Sequence, residues 1–203
     1  MRYQWRRQRW SGWTLLLLFA LIGATALAWC GRAAPGVTAD APLTGESGLE
    51  ETEQKLIALT FDDGPRRSTT TDLLDGLAER GVKATFFLIG AQIEDNRDVV
   101  RRMDREGHQI GIHTYDHVKL TDLNRADFDA QVEKTRSVLV STLDHNDFLL
   151  RPPYGMLDDS VKAWAGCPII LWSIDPEDWS DRDTDRVVQQ VVRQAKDGGI
   201  ILM

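Results

Sequence analysis

Lys55 to Pro65 read KLIALTFDDGP, an apolar run that ends on two adjacent acids and a Gly-Pro turn. Leu56–Phe61 has the composition of a buried strand, and the polar residues begin where it stops. The chain then repeats this arrangement. A helix over Thr71–Arg80 is stopped by Gly81, a strand over Ala84–Ile89 precedes a helix over Arg97–Glu106 stopped by Gly107, and Gln109–His113 is a third strand. A long helix is expected at Arg125–Leu143, with Phe128, Val132, Thr135, Val138 and Leu139 on one face. Phe148–Leu150, Pro168–Ile174 and Ile200–Met203 read as further strands, separated by helices at Asp158–Trp164 and Asp185–Lys196. Strict alternation implies an α/β fold with parallel strands and helical crossovers. Ligands in such folds collect at the carboxyl ends of the strands.

The 203 residues allow one folded domain plus a leader. The formal net charge is −7; setting aside Arg2, Arg6, Arg7 and Arg9 leaves 20 basic residues against 31 acids, a net of −11. A body that acidic has no basic stripe to neutralise phosphates, which argues against nucleic acid as a partner. The arginine-rich Met1–Trp10 is followed by the apolar run Trp13–Trp29, with Ala26-Leu27-Ala28 as a cleavage site. Residues 1–30 are therefore expected to be a signal peptide or, uncleaved, an N-terminal membrane anchor. Either way the positive end stays in the cytoplasm, and the rest is extracellular or held at the cell surface. Residues 31–54 have almost no large apolar side chain and read as a flexible linker. Residues 55–203 are the folded domain. Cys30 and Cys167 do not make a disulfide framework, and Cys167, inside an apolar run, reads as a small buried hydrophobe.

Four polar clusters fall just past strands. In Thr60-Phe61-Asp62-Asp63-Gly64-Pro65 two adjacent carboxylates repel, and a cation that neutralises at least one explains their pairing. In His113-Thr114-Tyr115-Asp116-His117 the i, i+4 spacing lets both imidazoles meet one ion. With one carboxylate they make three protein ligands and leave a position for water, the arrangement of a catalytic zinc. In Arg151-Pro152-Pro153-Tyr154-Gly155 the prolines fix the backbone, presenting the Tyr154 N–H as a donor suited to an oxyanion. In Asp175-Pro176-Glu177-Asp178-Trp179 the indole is placed to wall a pocket and Asp178 to orient a neighbouring histidine. His108 and His145 lack such company and read as surface residues.

TFDDGP, HTYDH, RPPYG and DPEDW in this order, with GVKATFFLIG between the first two, resemble the polysaccharide deacetylases of carbohydrate esterase family 4. The resemblance covers about Lys55 to Met203. It implies an irregular (β/α) barrel with fewer than eight strands, and metal-dependent hydrolysis of N-acetyl groups on an amino-sugar polymer such as peptidoglycan or a chitin-like N-acetylglucosamine chain. It implies that Asp63, His113 and His117 bind a divalent metal, usually zinc. Asp62 is then the general base, Arg151 holds Asp62, the Tyr154 N–H stabilises the oxyanion, and Trp179 lines the acetyl pocket. The family also expects a histidine two residues after the last strand's leucine, oriented by Asp178. Leu202-Met203 stops one residue before it. The last strand is accordingly read as truncated and the C-terminus of the domain as incomplete. Two rival functions are an O-acetyl esterase acting on a polysaccharide and, should the terminal histidine be truly absent, a catalytically silent glycan-binding module.

Overall fold

Residues 55–203 are described by the computed structural model; the expected leader, the linker and Cys30 lie outside the described residues. The strands β1 (Ile57–Gly64), β2 (Thr85–Leu88), β3 (Gln109–Ile112), β4 (Leu149–Leu150) and β5 (Gly199–Leu202) form one sheet in the order β4-β3-β2-β1-β5. Every pairing is parallel. The crossovers are helical: α1 (Arg67–Glu79) between β1 and β2, α2 (Gly90–Ile93) and α3 (Arg97–Arg105) between β2 and β3, and α4 (Arg125–Leu143) between β3 and β4. Helices α5 (Asp159–Trp164) and α6 (Thr184–Gln194) lie between β4 and β5. The expected α/β class holds, as a five-stranded sheet curled into a half-barrel. Among the described residues no helix is long and apolar enough to cross a membrane.

Strand periodicity divides the side chains between two environments. Leu59, Phe61, Phe86, Leu88, Ile110, Ile112 and Leu150 join one cluster with Leu74, Leu77, Val99, Met103, Phe128, Val132 and Leu139 of the helices. The intervening positions, Thr60, Asp62, Phe87, Gly111 and His113, therefore share the other, concave face of the sheet. Arg151, one residue past Leu150, falls there too. Gly111 is small because Phe87 fills this face: a Cβ would lie 2.5 Å from Phe87 Cδ1 and 3.1 Å from the Leu149 carbonyl oxygen. Gly111→Ala is expected to cost about 1–3 kcal/mol through overpacking, read as a lowered denaturation midpoint; an unchanged midpoint would show that Phe87 yields freely.

Helix α4 spans the expected residues, with Phe128, Val132, Thr135, Leu139 and Thr142 buried. It starts where the Asn124 side chain accepts from the Asp127 N–H at 3.1 Å. It stops at Asp144 in the left-handed region. Gly81 and Gly107, with φ of 64° and 79°, follow the helices they were expected to end. Cys167 is half-buried and packed against the core, and it is unpaired among the described residues.

Two expectations need correction. Pro168–Ile174 is not a strand but touches the sheet through single bridges, Leu150 to Ile169 and Ile174 to Ile201. Between those bridges the Ile170 and Leu171 carbonyls accept from the Arg151 guanidinium instead of a neighbouring backbone. His108 is not on the surface: its side chain is 1% exposed. Its Nδ1 accepts from the Ala84 N–H at 3.1 Å, so the ring serves as a cap at the start of β2. His145 is half-buried, with Nε2 3.2 Å from Asp104 and Nδ1 2.6 Å from Asp147.

Candidate metal centre

The end of β1 turns its two acids in different directions. The β1–β2 register shifts between Phe61 and Gly64, and Asp63 takes φ 63°. An irregularity of this kind re-aims side chains that would otherwise alternate across the sheet. Asp62 stays inside, its side chain 13% exposed, while Asp63 is 62% exposed at the mouth. Thr114, His117, Tyr154 and Glu177 also have positive φ. Strained non-glycine backbone therefore occurs in all four sequence clusters, as at sites where geometry outweighs local stability.

Asp63 Oδ1 lies 3.1 Å from His117 Nε2 and 3.5 Å from His113 Nε2. One ligand atom from each of the three residues falls within 4.8 Å of the others. A tetrahedral ion with bonds of about 2.1 Å has ligand–ligand edges of about 3.4 Å, so both carboxylate–imidazole separations suit a shared cation. The buried His113 ring is also correctly prepared. Its Nδ1 is 2.7 Å from the Arg151 carbonyl oxygen, which can only accept, so Nδ1 carries the proton and Nε2 presents its lone pair to the site. Burial lowers the His113 pKa to about 3, with His117 and Arg151 adding repulsion, which keeps the ring neutral as a ligand. Two imidazoles and one carboxylate thus fit a divalent ion.

Asp62 stands beside this group without joining it. Its Oδ1 accepts from Arg151 Nη1 at 2.8 Å, and its Oδ2 is 3.7 Å from His113 Nε2. Burial raises its pKa to about 6 against the pull of Arg151, and the negative Asp63 and Asp178 add to the rise. Arg151 is fully buried. It also donates from Nη1 to Thr60 Oγ1 at 2.7 Å, from Nε to the Ile170 oxygen at 3.1 Å and from Nη2 to the Leu171 oxygen at 3.2 Å. The guanidinium carbon sits 4.1 Å from the Phe87 ring centre and 5.6 Å from that of Trp172.

Tyr154 reaches the same mouth, its ring centre 4.9 Å from that of His117. Its N–H has no hydrogen-bond partner among the described residues. Asp178 is partly buried, and burial raises its pKa, with Asp175 and Asp63 adding to the rise. Among the described residues no histidine pairs with it. Trp179 is 71% exposed, an open indole rather than the wall of an enclosed pocket. Sequence reasoning missed Thr60 and Trp172. Trp172 sits under Gly155, where a Cβ would meet its Cη2 at 2.6 Å. A threonine in a strand and a tryptophan in an apolar run carry no sign of such roles.

Residues 49–166 match the family model described as polysaccharide deacetylase. Over 149 residues, 73% of this chain, the sequence is 42% identical to the peptidoglycan-N-acetylglucosamine deacetylase PgdA of Listeria monocytogenes, but it spans only 32% of that protein. It is 40% identical over 151 residues to a chitooligosaccharide deacetylase of Sinorhizobium fredii, covering 72% of this chain and 70% of the relative. Among solved structures, the peptidoglycan deacetylase PdaC of Bacillus subtilis superposes with a TM-score of 0.72 at 38% identity, covering 74% of this chain and 75% of the other.

Proposed function

Because this chain belongs to the polysaccharide deacetylase family, carbohydrate esterase family 4, we propose that it hydrolyses N-acetyl groups of an exported amino-sugar polymer, peptidoglycan or a chitin-like chain of N-acetylglucosamine. The observation that carries this reading is the Asp63, His113 and His117 set with Asp62 held beside it but outside it. Names of the relatives support the substrate class: they include deacetylases of peptidoglycan and of chitooligosaccharides.

The donor set is best suited to zinc. A divalent ion held there by Asp63, His113 and His117 supplies two things, a lowered water pKa and a polarised acetamide carbonyl. Asp62 Oδ2 accepts a proton from the attacking water, while Arg151 holds Oδ1 and keeps the carboxylate aimed. The unspent Tyr154 N–H donates to the carbonyl oxygen as it gains negative charge. Asp178 flanks the same carboxylates and serves to orient the group that protonates the departing amine. Tyr154 and Trp179, both exposed, bind the substrate, with Trp179 on the acetyl side. Residues 1–30 export or anchor the chain, residues 31–54 tether it, and residues 55–203 act at the cell wall or outside it.

Acetate release from chitin oligomers, peptidoglycan and acetylated xylan tests the reaction and separates amide from ester substrates. The wild-type protein with zinc is expected to release acetate from the first or second. His113→Ala is expected to lose both bound metal and acetate release, because it removes a ligand that no neighbour replaces. Undiminished acetate release by that variant would reject the assignment, and release from xylan alone would mark the protein as an O-acetyl esterase.

A further inference from the structure

The loop between the two histidines is held in an unfavourable shape. Thr114 and His117 have φ of 61° and 56°. Non-glycine residues stay in that region only where their surroundings over-determine it. The loop carbonyls are taken from one side: the Gly90 N–H donates to the Thr114 oxygen at 2.9 Å and the Ala91 N–H to the Tyr115 oxygen at 3.0 Å. This approach requires Gly90, where a Cβ would meet Tyr115 Cδ2 at 2.5 Å.

The loop amides are taken from another side by one residue, Gln131 of α4. Its Oε1 accepts from the Tyr115 N–H at 3.0 Å and from the Asp116 N–H at 2.9 Å. Its Nε2 donates to Asp116 Oδ2 at 2.8 Å. A primary amide suits all three contacts, since one atom must accept twice while its neighbour donates to a carboxylate. A glutamate in its place fails the last contact, and a hydrophobic residue fails all of them. Residues 115 and 116 lie between the two imidazoles, so whatever fixes these amides also sets where His117 Nε2 falls relative to Asp63 Oδ1.

We propose that Gln131 is a positioning residue for the metal site, clamping the 113–117 loop so that His117 meets the ion together with Asp63 and His113. This inference rests on reading those three residues as a metal centre. Zinc affinity of the full chain, measured by competition with a chromophoric chelator, tests it without reference to turnover. Gln131→Leu is expected to bind zinc about 10–100-fold more weakly, the range typical for residues that orient metal ligands, with an unchanged metal-free circular dichroism spectrum. Gln131→Glu is expected to weaken binding as well, because it sets a second carboxylate against Asp116. Adding Asp116→Asn should restore most of the loss, since the swapped pair again has a donor facing an acceptor; a merely structural role would not predict that recovery. Wild-type affinity in Gln131→Leu overturns the inference. If that variant does not fold, equal affinities of Gln131→Glu and the Asp116→Asn/Gln131→Glu double variant overturn it. A wild-type chain that binds no divalent ion overturns both this inference and the metal centre beneath it.

Discussion

The Asp62→Asn protein is expected to bind its metal as the wild type does and to release acetate about 10²–10⁴-fold more slowly. The two carboxylate oxygens have separate tasks. Oδ1 is committed to Arg151, and Oδ2 faces the ligand set. Asparagine can keep the first contact, because its amide oxygen still accepts from the guanidinium. It loses the second function, because the NH2 group that replaces Oδ2 donates and cannot take up a proton. Metal stoichiometry and acetate release measured on the same preparation separate these outcomes. Turnover at the wild-type rate would remove Asp62 from the base role. Loss of zinc together with activity would instead make it a ligand.

Removal of the partner cation is expected to affect the whole fold. Arg151→Met should destabilise the metal-free protein by about 3–5 kcal/mol, the usual consequence of stranding one charge of a buried pair. In a domain of this size that corresponds to a fall in melting temperature of roughly 6–20 °C. Arg151 makes four side-chain hydrogen bonds, to Thr60, Asp62, Ile170 and Leu171. Methionine fills part of the volume and removes the donor from the Asp62, Ile170 and Leu171 oxygens, while Thr60 Oγ1 keeps only its own donation to the Ile201 oxygen. The Asp62 carboxylate, 13% exposed, suffers most because solvent cannot replace the guanidinium. Combining Arg151→Met with Asp62→Asn should therefore recover part of the lost stability, by about 0.5–3 kcal/mol relative to additivity. Thermal denaturation of the four proteins in chelator measures that coupling. Strict additivity would mean that the pair does not interact across the site.

Lysine is not expected to substitute for Arg151. Its ammonium could reach one or two of the acceptors, whereas the planar guanidinium spans the Asp62 carboxylate and two carbonyls in different directions. The same reach explains why Pro168–Ile174 fails as a strand. Its apolar sequence suits one, but two of its carbonyls turn towards Arg151, so the segment joins the half-barrel only at its ends.

The cluster at residues 60–64 lies within β1 itself, and residues 175–179 follow a segment that is not a strand. The alternation of strands and helices, the ends of α4 and the placement of the clusters at residues 113–117 and 151–155 just past a strand were readable along the chain. These features depend on neighbours a few residues apart, and hydrophobic period, turn residues and helix stops record such neighbours directly. Contacts between Arg151 and Asp62 or Thr60, 89 and 91 residues apart, leave no such record. His108 looks like any surface histidine until β2 brings the Ala84 N–H to its ring. Gln131 is an unremarkable helix residue until α4 lays it against the loop of residues 113–117.

Asp62 and Asp63 mark the boundary most clearly. The amino-acid sequence determines that two like charges stand side by side at a strand end, a pairing that calls for a cation. As adjacent aspartates they are chemically equivalent on paper. The family resemblance assigns them different roles, but the physical cause of the difference lies in the folded chain: the irregularity at the end of β1 turns one towards a buried guanidinium and the other towards two imidazoles. A side chain's local propensity travels with the residue, but its electrostatic surroundings are assembled from distant segments.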